Sequence, residues 1–269
     1  MKTSITFSFL FSTLLCFGQE EGEWDSYLAD YEGKVGSTLL DMSLIRVAPL
    51  KNLPFVLVTG VTFKDCNEDG MPSAAEFQNL YQISDSVKKI VERAVSFRLA
   101  GTFTHKCQRF DYYYIADTTN LRKQLMDLYQ KKFPLYEPYI GLKEDRNWRY
   151  YLDFLFPNNA VQEYMKNIKV VTKLSEAGDK LNKPRQVDHW IYFESEANRD
   201  RFIQYAIKEK FKVERKDKLK DRELPYLLQI SRVDRVDMPS ISQITAELRK
   251  QAELYKGQYD GWETFVIKE

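Results

Sequence analysis

The chain has 269 residues, enough for about two domains, and its 40 Lys and Arg against 39 Asp and Glu leave a formal charge of +1. With 43% hydrophobic and 14% aromatic residues, its composition is that of neither a disordered chain nor a membrane-embedded one. The balanced charge exerts no overall pull toward nucleic acid or an anionic membrane.

The first residues stand apart. Met1 and Lys2 are a short positive segment, residues 5–17 are apolar apart from Thr and Ser, and Cys16-Phe17-Gly18 offers small residues around a cut before Gln19. This pattern predicts a secretory signal peptide over residues 1–18, hence a periplasmic or secreted protein. A buried N-terminal strand or helix is the alternative. A lipid-modified Cys16 would call for a small residue where Leu15 stands. Cleavage leaves Cys66 and Cys107, which the sequence allows as one disulfide or as two thiols. No CxxC occurs and there are only two His, so a Cys/His zinc site is not expected.

Residues 34–48 are rich in Val, Leu and Ile and suggest a strand or hairpin; residues 54–63 (PFVLVTGVTF) read as a buried strand. Ser73 and Glu76 are spaced as a capping box ahead of a helix carrying Phe77, Leu80, Tyr81, Val87 and Val91. Residues 95–104 and 110–116 read as paired strands. Thr118 or Thr119 then caps a helix with Leu121, Leu125, Leu128 and Tyr129 on one stripe. Residues 136–142 and 148–156 read as two more strands, the second strongly β-prone (RYYLDFLF). A helix with Val161, Tyr164, Met165 and Ile168 follows. Residues 175–184 (SEAGDKLNKP) are polar and hold Gly and Pro, which marks a linker.

After that stretch the pattern restarts: a strand over 185–193, a helix capped by Ser195, a short strand over 211–214, a charged irregular stretch over 215–223 and a strand over 225–233. A helix opening at Pro239 or Ser240 and closed by Gly257 precedes a last strand over 259–267. The order β-α-β-β-α-β is that of a ferredoxin-like sandwich, an antiparallel sheet with helices on one face. The expectation is thus an α+β protein of two α/β sandwich domains, residues 19–177 and 178–269.

Asp188-His189-Trp190 is the most site-like triplet. On a strand Asp188 and Trp190 share one face and His189 takes the other. A His beside a carboxylate can serve as a general base, although no Ser or Cys nucleophile stands next to it. The plainer reading makes His189 a polar residue bonded across the sheet and Trp190 core. Asp260-Gly261-Trp262 suggests a strand bulge, and a binding groove lined by Trp190, Asp260 and Trp262 competes with a core role for both indoles. Asp65, Asn67, Asp69, Gly70 and Glu76 match the register of a calcium loop, but a strand rather than a helix precedes them and the capping box already accounts for Glu76. Residues 208–222 hold eight basic and four acidic residues with Phe211 as the nearby aromatic, which reads as a solvated surface rather than a nucleic-acid site. No phosphate-binding, dinucleotide, nucleophile-elbow or HExxH motif occurs.

The run Val187-Asp188-His189-Trp190 leading to Phe193, the strand start Phe211-Lys212-Val213, and Tyr259-Asp260-Gly261-Trp262-Glu263-Thr264 together resemble the regulator of ribonuclease activity B family over about 85 residues. Residues 24–177, with Trp24 and the Asp69-Gly70-Met71-Pro72 turn, are similar to a domain of unknown function found with it. The resemblance implies a protein that binds ribonuclease E and lowers its activity by contact alone, without cofactor, metal or chemistry. A cytoplasmic target and an export signal pull in opposite directions. The expectation is therefore a non-catalytic binding protein with a protein partner, no direct nucleic-acid contact and no membrane association after signal removal. Asp188, His189, Trp190, Asp260 and Trp262 are its candidate binding residues. An envelope binding protein with an unrelated partner, and an enzyme using Asp188 and His189, are the alternatives.

Overall fold

The computed structural model describes residues 22–268; the expected signal segment, residues 1–18 with Cys16, lies outside the described residues. The chain packs as two compact units, residues 22–26 with Glu32–Asp153, and Tyr27–Tyr31 with residues 154–268. Both are α+β, each built on an antiparallel sheet.

The first sheet contains β1 (Trp24–Tyr31), β2 (Lys34–Asp41), β3 (Phe55–Thr62), β4 (Phe97–His105), β5 (Gln108–Ile115) and β6 (Glu137–Glu144), in the order β1-β2-β4-β5-β3-β6. One face receives α1 (Ala74–Ala94) and α2 (Leu121–Lys132). Leu80, Ile83, Val87 and Val91 of α1 and Leu121, Leu125 and Tyr129 of α2 close over Leu57, Val61, Tyr113 and Ile115. The 3.6-residue period of the helices thus meets the two-residue period of the strands in one core. Ser73 caps α1, its hydroxyl accepting from Glu76 N at 3.2 Å, while Ser73 N itself donates to Asp65 O, so only half of the capping box forms. Cys66 and Cys107 are joined in a disulfide, with Cα atoms 5.8 Å apart.

Three expectations in this unit are corrected. Strand β1 was not foreseen, because only Tyr27 of its eight residues is buried and no apolar alternation shows. The cap of α2 is Asn120, in a left-handed conformation, while Thr118 and Thr119 donate their amides to Asp117. The β-prone segment 148–156 is not a strand: Tyr150–Leu155 is a π-helical turn. The Asp145 carboxylate explains it, accepting from Arg149 N (3.0 Å), Tyr150 N (3.1 Å) and the Tyr114 hydroxyl (2.7 Å). Trp148, at φ +53°, stacks flat on Tyr114 with ring centres 3.9 Å apart. Buried hydrogen bonds and ring stacking outweigh a β-propensity that spans only about 1 kcal/mol.

In the second unit, β7 (Arg185–Phe193), α4 (Glu196–Lys208), β8 (Lys212–Lys218), β9 (Tyr226–Asp234), α5 (Met238–Leu254) and β10 (Gly257–Glu263) follow the ferredoxin-like order, with strands arranged β10-β7-β9-β8. Both helices bury their apolar faces on the same side of the sheet: Phe202, Ile203 and Ala206 of α4 and Leu248 and Ala252 of α5 pack on Ile191, Phe193, Leu228 and Ile230. Ser195 caps α4 as expected, but α5 starts under Asp237, whose carboxylate accepts from Ser240 N at 3.1 Å. Gly257 opens β10 rather than closing α5, and β8 runs through part of the stretch expected to be irregular.

A further helix, α3 (Asn159–Glu176), belongs to this unit, where Val171 and Leu174 pack with Val187, Ile241 and Trp262. The expected boundary at residue 177 therefore differs from the division in packing, which falls between Asp153 and Phe154. The supposed linker is held in place. The side chains of Arg185 and Asp179, both fully buried, form an ion pair at 2.5 Å. Arg185 also donates to the carbonyls of Lys180 (2.6 Å), Lys183 (3.2 Å) and Phe265 (3.2 Å), and Val236 N donates to Leu181 O. Most of residues 175–184 are exposed, as their composition suggests, yet Asp179 and the carbonyls of Lys180, Leu181 and Lys183 are tied into the fold.

Candidate functional site

The five candidate residues do not come together. Strand β7 alternates, so Arg185, Val187, His189, Ile191 and Phe193 face the helices, whereas Gln186, Asp188, Trp190 and Tyr192 occupy the other face. His189 is fully buried; its Nδ1 lies 2.9 Å from the Tyr259 hydroxyl, and Phe211 meets its ring edge-on at 5.7 Å. Burial, with a smaller contribution from the Arg232 charge, lowers the imidazole to about 3. A neutral ring locked under a core cannot take up a substrate proton near pH 7. Asp188 sits on the opposite face, accepting from Gln229 Nε2 and Gln186 Nε2 at 3.1 Å each. The pairing that the enzyme alternative requires is absent.

Trp262 is likewise on the helix side, buried, with Nε1 donating to Asn167 Oδ1 at 2.8 Å. Asn167 Nδ2 in turn donates to Thr245 Oγ1 at 2.8 Å. Next to them Glu163 lies 3.1 Å from Arg249 Nε, and burial raises its carboxyl despite the Thr245 hydrogen bond and the Arg249 charge. Burial also pushes the Tyr259 phenol well up, helped by the charges of Glu163 and Asp260. This polar network joins α3, α5 and β10. Glu163, Asn167, Thr245 and Arg249 were missed from the sequence; the available signal was polar residues at i, i+4 on each helix, in phase with its buried side. Asp260 is exposed, at a point where the β10 register skips between Tyr259 and Gly261 opposite β7. A bulge is what a strand glycine suggested.

That leaves Asp188 and Trp190, with Tyr192, on the face of the second sheet that none of the unit's own helices covers. Across this face Trp190 stands between Gly261 and Gln229, and Tyr192 between Gln258 and Leu227. Both aromatic rings are half-buried. Arg222 lies over the Tyr192 ring, 5.2 Å from its centre. To one side, on the edge strand β8 beyond β9, lie the ion pairs Lys212 with Glu214 (3.1 Å) and Arg215 with Asp217. Two of the eight basic residues of the run over 208–222, Lys212 and Arg215, are thus paired with acidic residues of β8 itself. An aromatic centre with a charged edge is the anatomy of a protein-docking patch.

The loop with calcium-loop spacing is closed by its own bonds. Asn67 Oδ1 accepts from Asp69 N and Met71 N, and the Ser73 hydroxyl bonds the Asp65 carboxylate. Among the described residues no cluster of three or more His, Cys, Asp or Glu is arranged to hold a metal. No described helix is long and apolar enough to cross a membrane.

Comparison with known proteins follows the two-unit division. No curated protein matches the chain. Residues 165–264 match the family described as Regulator of ribonuclease activity B, a span running from the middle of α3 through β10. Residues 22–156 match a family of unknown function, DUF695. By that match, which spans half of its length, the chain belongs to the DUF695 family, and its C-terminal region is similar to Regulator of ribonuclease activity B.

Proposed function

We propose that the chain is a non-catalytic binding protein whose C-terminal unit holds a protein partner against the open face of its four-stranded sheet. The observation that carries this reading is the half-buried pair Trp190 and Tyr192 at the centre of that face, flanked on one side by paired charges. The similarity to Regulator of ribonuclease activity B supports a regulatory, contact-based role. The burial of His189 away from Asp188 speaks against the enzyme alternative.

The proposed location is outside the cytoplasm. The sequence pattern of residues 1–18 supports export, and the Cys66 to Cys107 disulfide fits an oxidising compartment. An envelope partner is then favoured over a cytoplasmic ribonuclease. Fractionation of the native host, with the intact mass of the purified chain, tests location. A mass starting at Gln19 in the periplasm or medium supports it; a full-length cytoplasmic chain overturns it and makes the ribonuclease the first partner to assay. Affinity capture with wild type and Trp190→Ala tests the surface. Loss of a hot-spot Trp costs about 2 kcal/mol or more in binding, so the partner should be depleted about 30-fold. A partner retained equally by a folded Trp190→Ala protein refutes the surface assignment.

A further inference from the structure

We propose a second binding site on the same unit: the groove between α3, α5 and β10 accepts an extended, uncharged stretch of polypeptide, which adds as a strand to the outer edge of β10. This site does not depend on the sheet-face reading.

The groove, about 540 Å³, is lined on one side by the six consecutive residues Gly257, Gln258, Tyr259, Asp260, Gly261 and Trp262. Side chains of successive strand residues point to opposite faces, so an unbroken run of six can line one cavity only through the strand's edge. Among the described residues strand β10 is the terminal strand of its sheet, pairing with β7 alone. The outward N–H and C=O groups of such an edge form a template for another strand. Six residues at about 3.3 Å each give an edge of about 20 Å.

The lining also indicates what fits. Lys166, Lys169 and Arg249 are balanced by Glu163, Glu253 and Asp260, so the groove carries no net charge to select phosphate, nucleic acid or a metal ion. Gln162 and Gln258 add side-chain amides, each both donor and acceptor. At the floor, the buried Glu163 and Arg249 side chains pair with each other at 3.1 Å, so no unmatched charge is presented to a ligand there. A groove of balanced charge, lined by side-chain amides beside the edge of a terminal strand, suits a ligand that is neutral and carries both donors and acceptors, which describes a peptide main chain. Lys166 Nζ donates to Asp260 O at 3.3 Å and caps the acceptor at the bulge. The added ladder should therefore run along Gly257, Gln258 and Tyr259 and stop there.

The test uses the full chain and a phage-displayed library of random dodecapeptides. Selected peptides are resynthesised and titrated against wild type, Lys166→Trp and Trp190→Ala. Residue 166 is exposed on α3, so the bulky variant should fold and block the groove; thermal unfolding checks this. Expected are peptides with uncharged, β-prone centres that bind wild type, lose roughly tenfold or more with Lys166→Trp, and are unchanged by Trp190→Ala. N-methylation of alternate peptide residues should weaken binding about tenfold for one parity and leave the other intact, because only every second N–H of an added strand faces its neighbour. Slower hydrogen exchange should appear at alternate amides of the run Gly257, Gln258 and Tyr259, those that point away from β7. The proposal is overturned if no peptide depends on the groove, if a folded Lys166→Trp binds as well as wild type, or if N-methylation acts without regard to parity. Peptides lost with Trp190→Ala but not with Lys166→Trp would overturn the groove while supporting the sheet face.

Discussion

Replacing Arg185 by Met should loosen the second unit more than any surface substitution. The Arg185 and Asp179 side chains are both fully buried, 2.5 Å apart. Arg185 also serves the carbonyls of Lys180, Lys183 and Phe265, so one guanidinium ties the segment before β7 to the chain after β10. Methionine fills much of the stem volume but removes the charge. Asp179 would keep the amide of Ile267 at 2.6 Å, while its Oδ1, already without a hydrogen bond, would face a buried site with no cation. Breaking a buried pair by removing one partner costs about 3–5 kcal/mol, a large fraction of a typical domain's stability of about 5–15 kcal/mol. Hydrogen exchange read segment by segment is the right assay, because a chain of two units need not unfold in one step. Amides of β7 and β10 should lose about 3–5 kcal/mol of protection, while those of α1 keep theirs. The double variant Asp179→Leu with Arg185→Met should recover part of the loss, since no charge is then left buried.

Acidity supplies a further arm of that test. Burial works against ionisation of Asp179, but the Arg185 hydrogen bond, the Ile267 amide and the Arg185 charge outweigh it and hold the carboxyl below its usual 3.8. In wild type its contribution is fully present above pH 3.8 and is lost as pH falls through the lowered folded value. In Arg185→Met burial is opposed only by the Ile267 amide, so the same carboxyl loses most of what lowers it and the gap between variant and wild type should narrow on acidification. A loss under about 1 kcal/mol at pH 7, or a double variant as unstable as the sum of the singles, would refute the reasoning.

Reduction of the Cys66 to Cys107 disulfide, which spans a separation of 41 residues, should cost about 4 kcal/mol in the chain-entropy account; calorimetry with and without reductant reads it, and an unchanged unfolding temperature of the first unit counts against it. His189, held neutral at about 3 against an ordinary 6.5, should make the second unit less stable as pH falls below about 6.5, because the unfolded chain takes up the proton first. A His189→Phe variant should show a flatter acid limb in urea titrations, and an imidazole NMR signal assigned to His189 and titrating near pH 6 would contradict the burial. Trp262→Phe keeps the ring but leaves Asn167 Oδ1 without its donor, at a cost of about 1–3 kcal/mol; loss of slow exchange at the α3 amides is the readout.

Much of the fold was determined by the sequence alone, wherever the signal was local. Apolar periods placed β3 and α1, Ser73 and Ser195 announced their helices, and the β-α-β-β-α-β rhythm of the last third specified the ferredoxin-like unit. Period two was also sufficient to separate His189 from Asp188 and Trp190. Elements whose stability comes from distant partners were not legible. The segment after Trp148 looks like a strand until Asp145 and Tyr114 claim its amides and its indole. Residues 175–184 look like a linker until Arg185 gathers their carbonyls. The polar floor of the groove exists only because α3 and α5 bring Glu163 and Asn167 beside Thr245 and Arg249, residues some eighty positions apart that no local window connects. Local propensities are worth tenths of a kcal/mol per residue, whereas a buried charge or hydrogen bond is worth about one to several kcal/mol, so tertiary structure decided wherever the two disagreed.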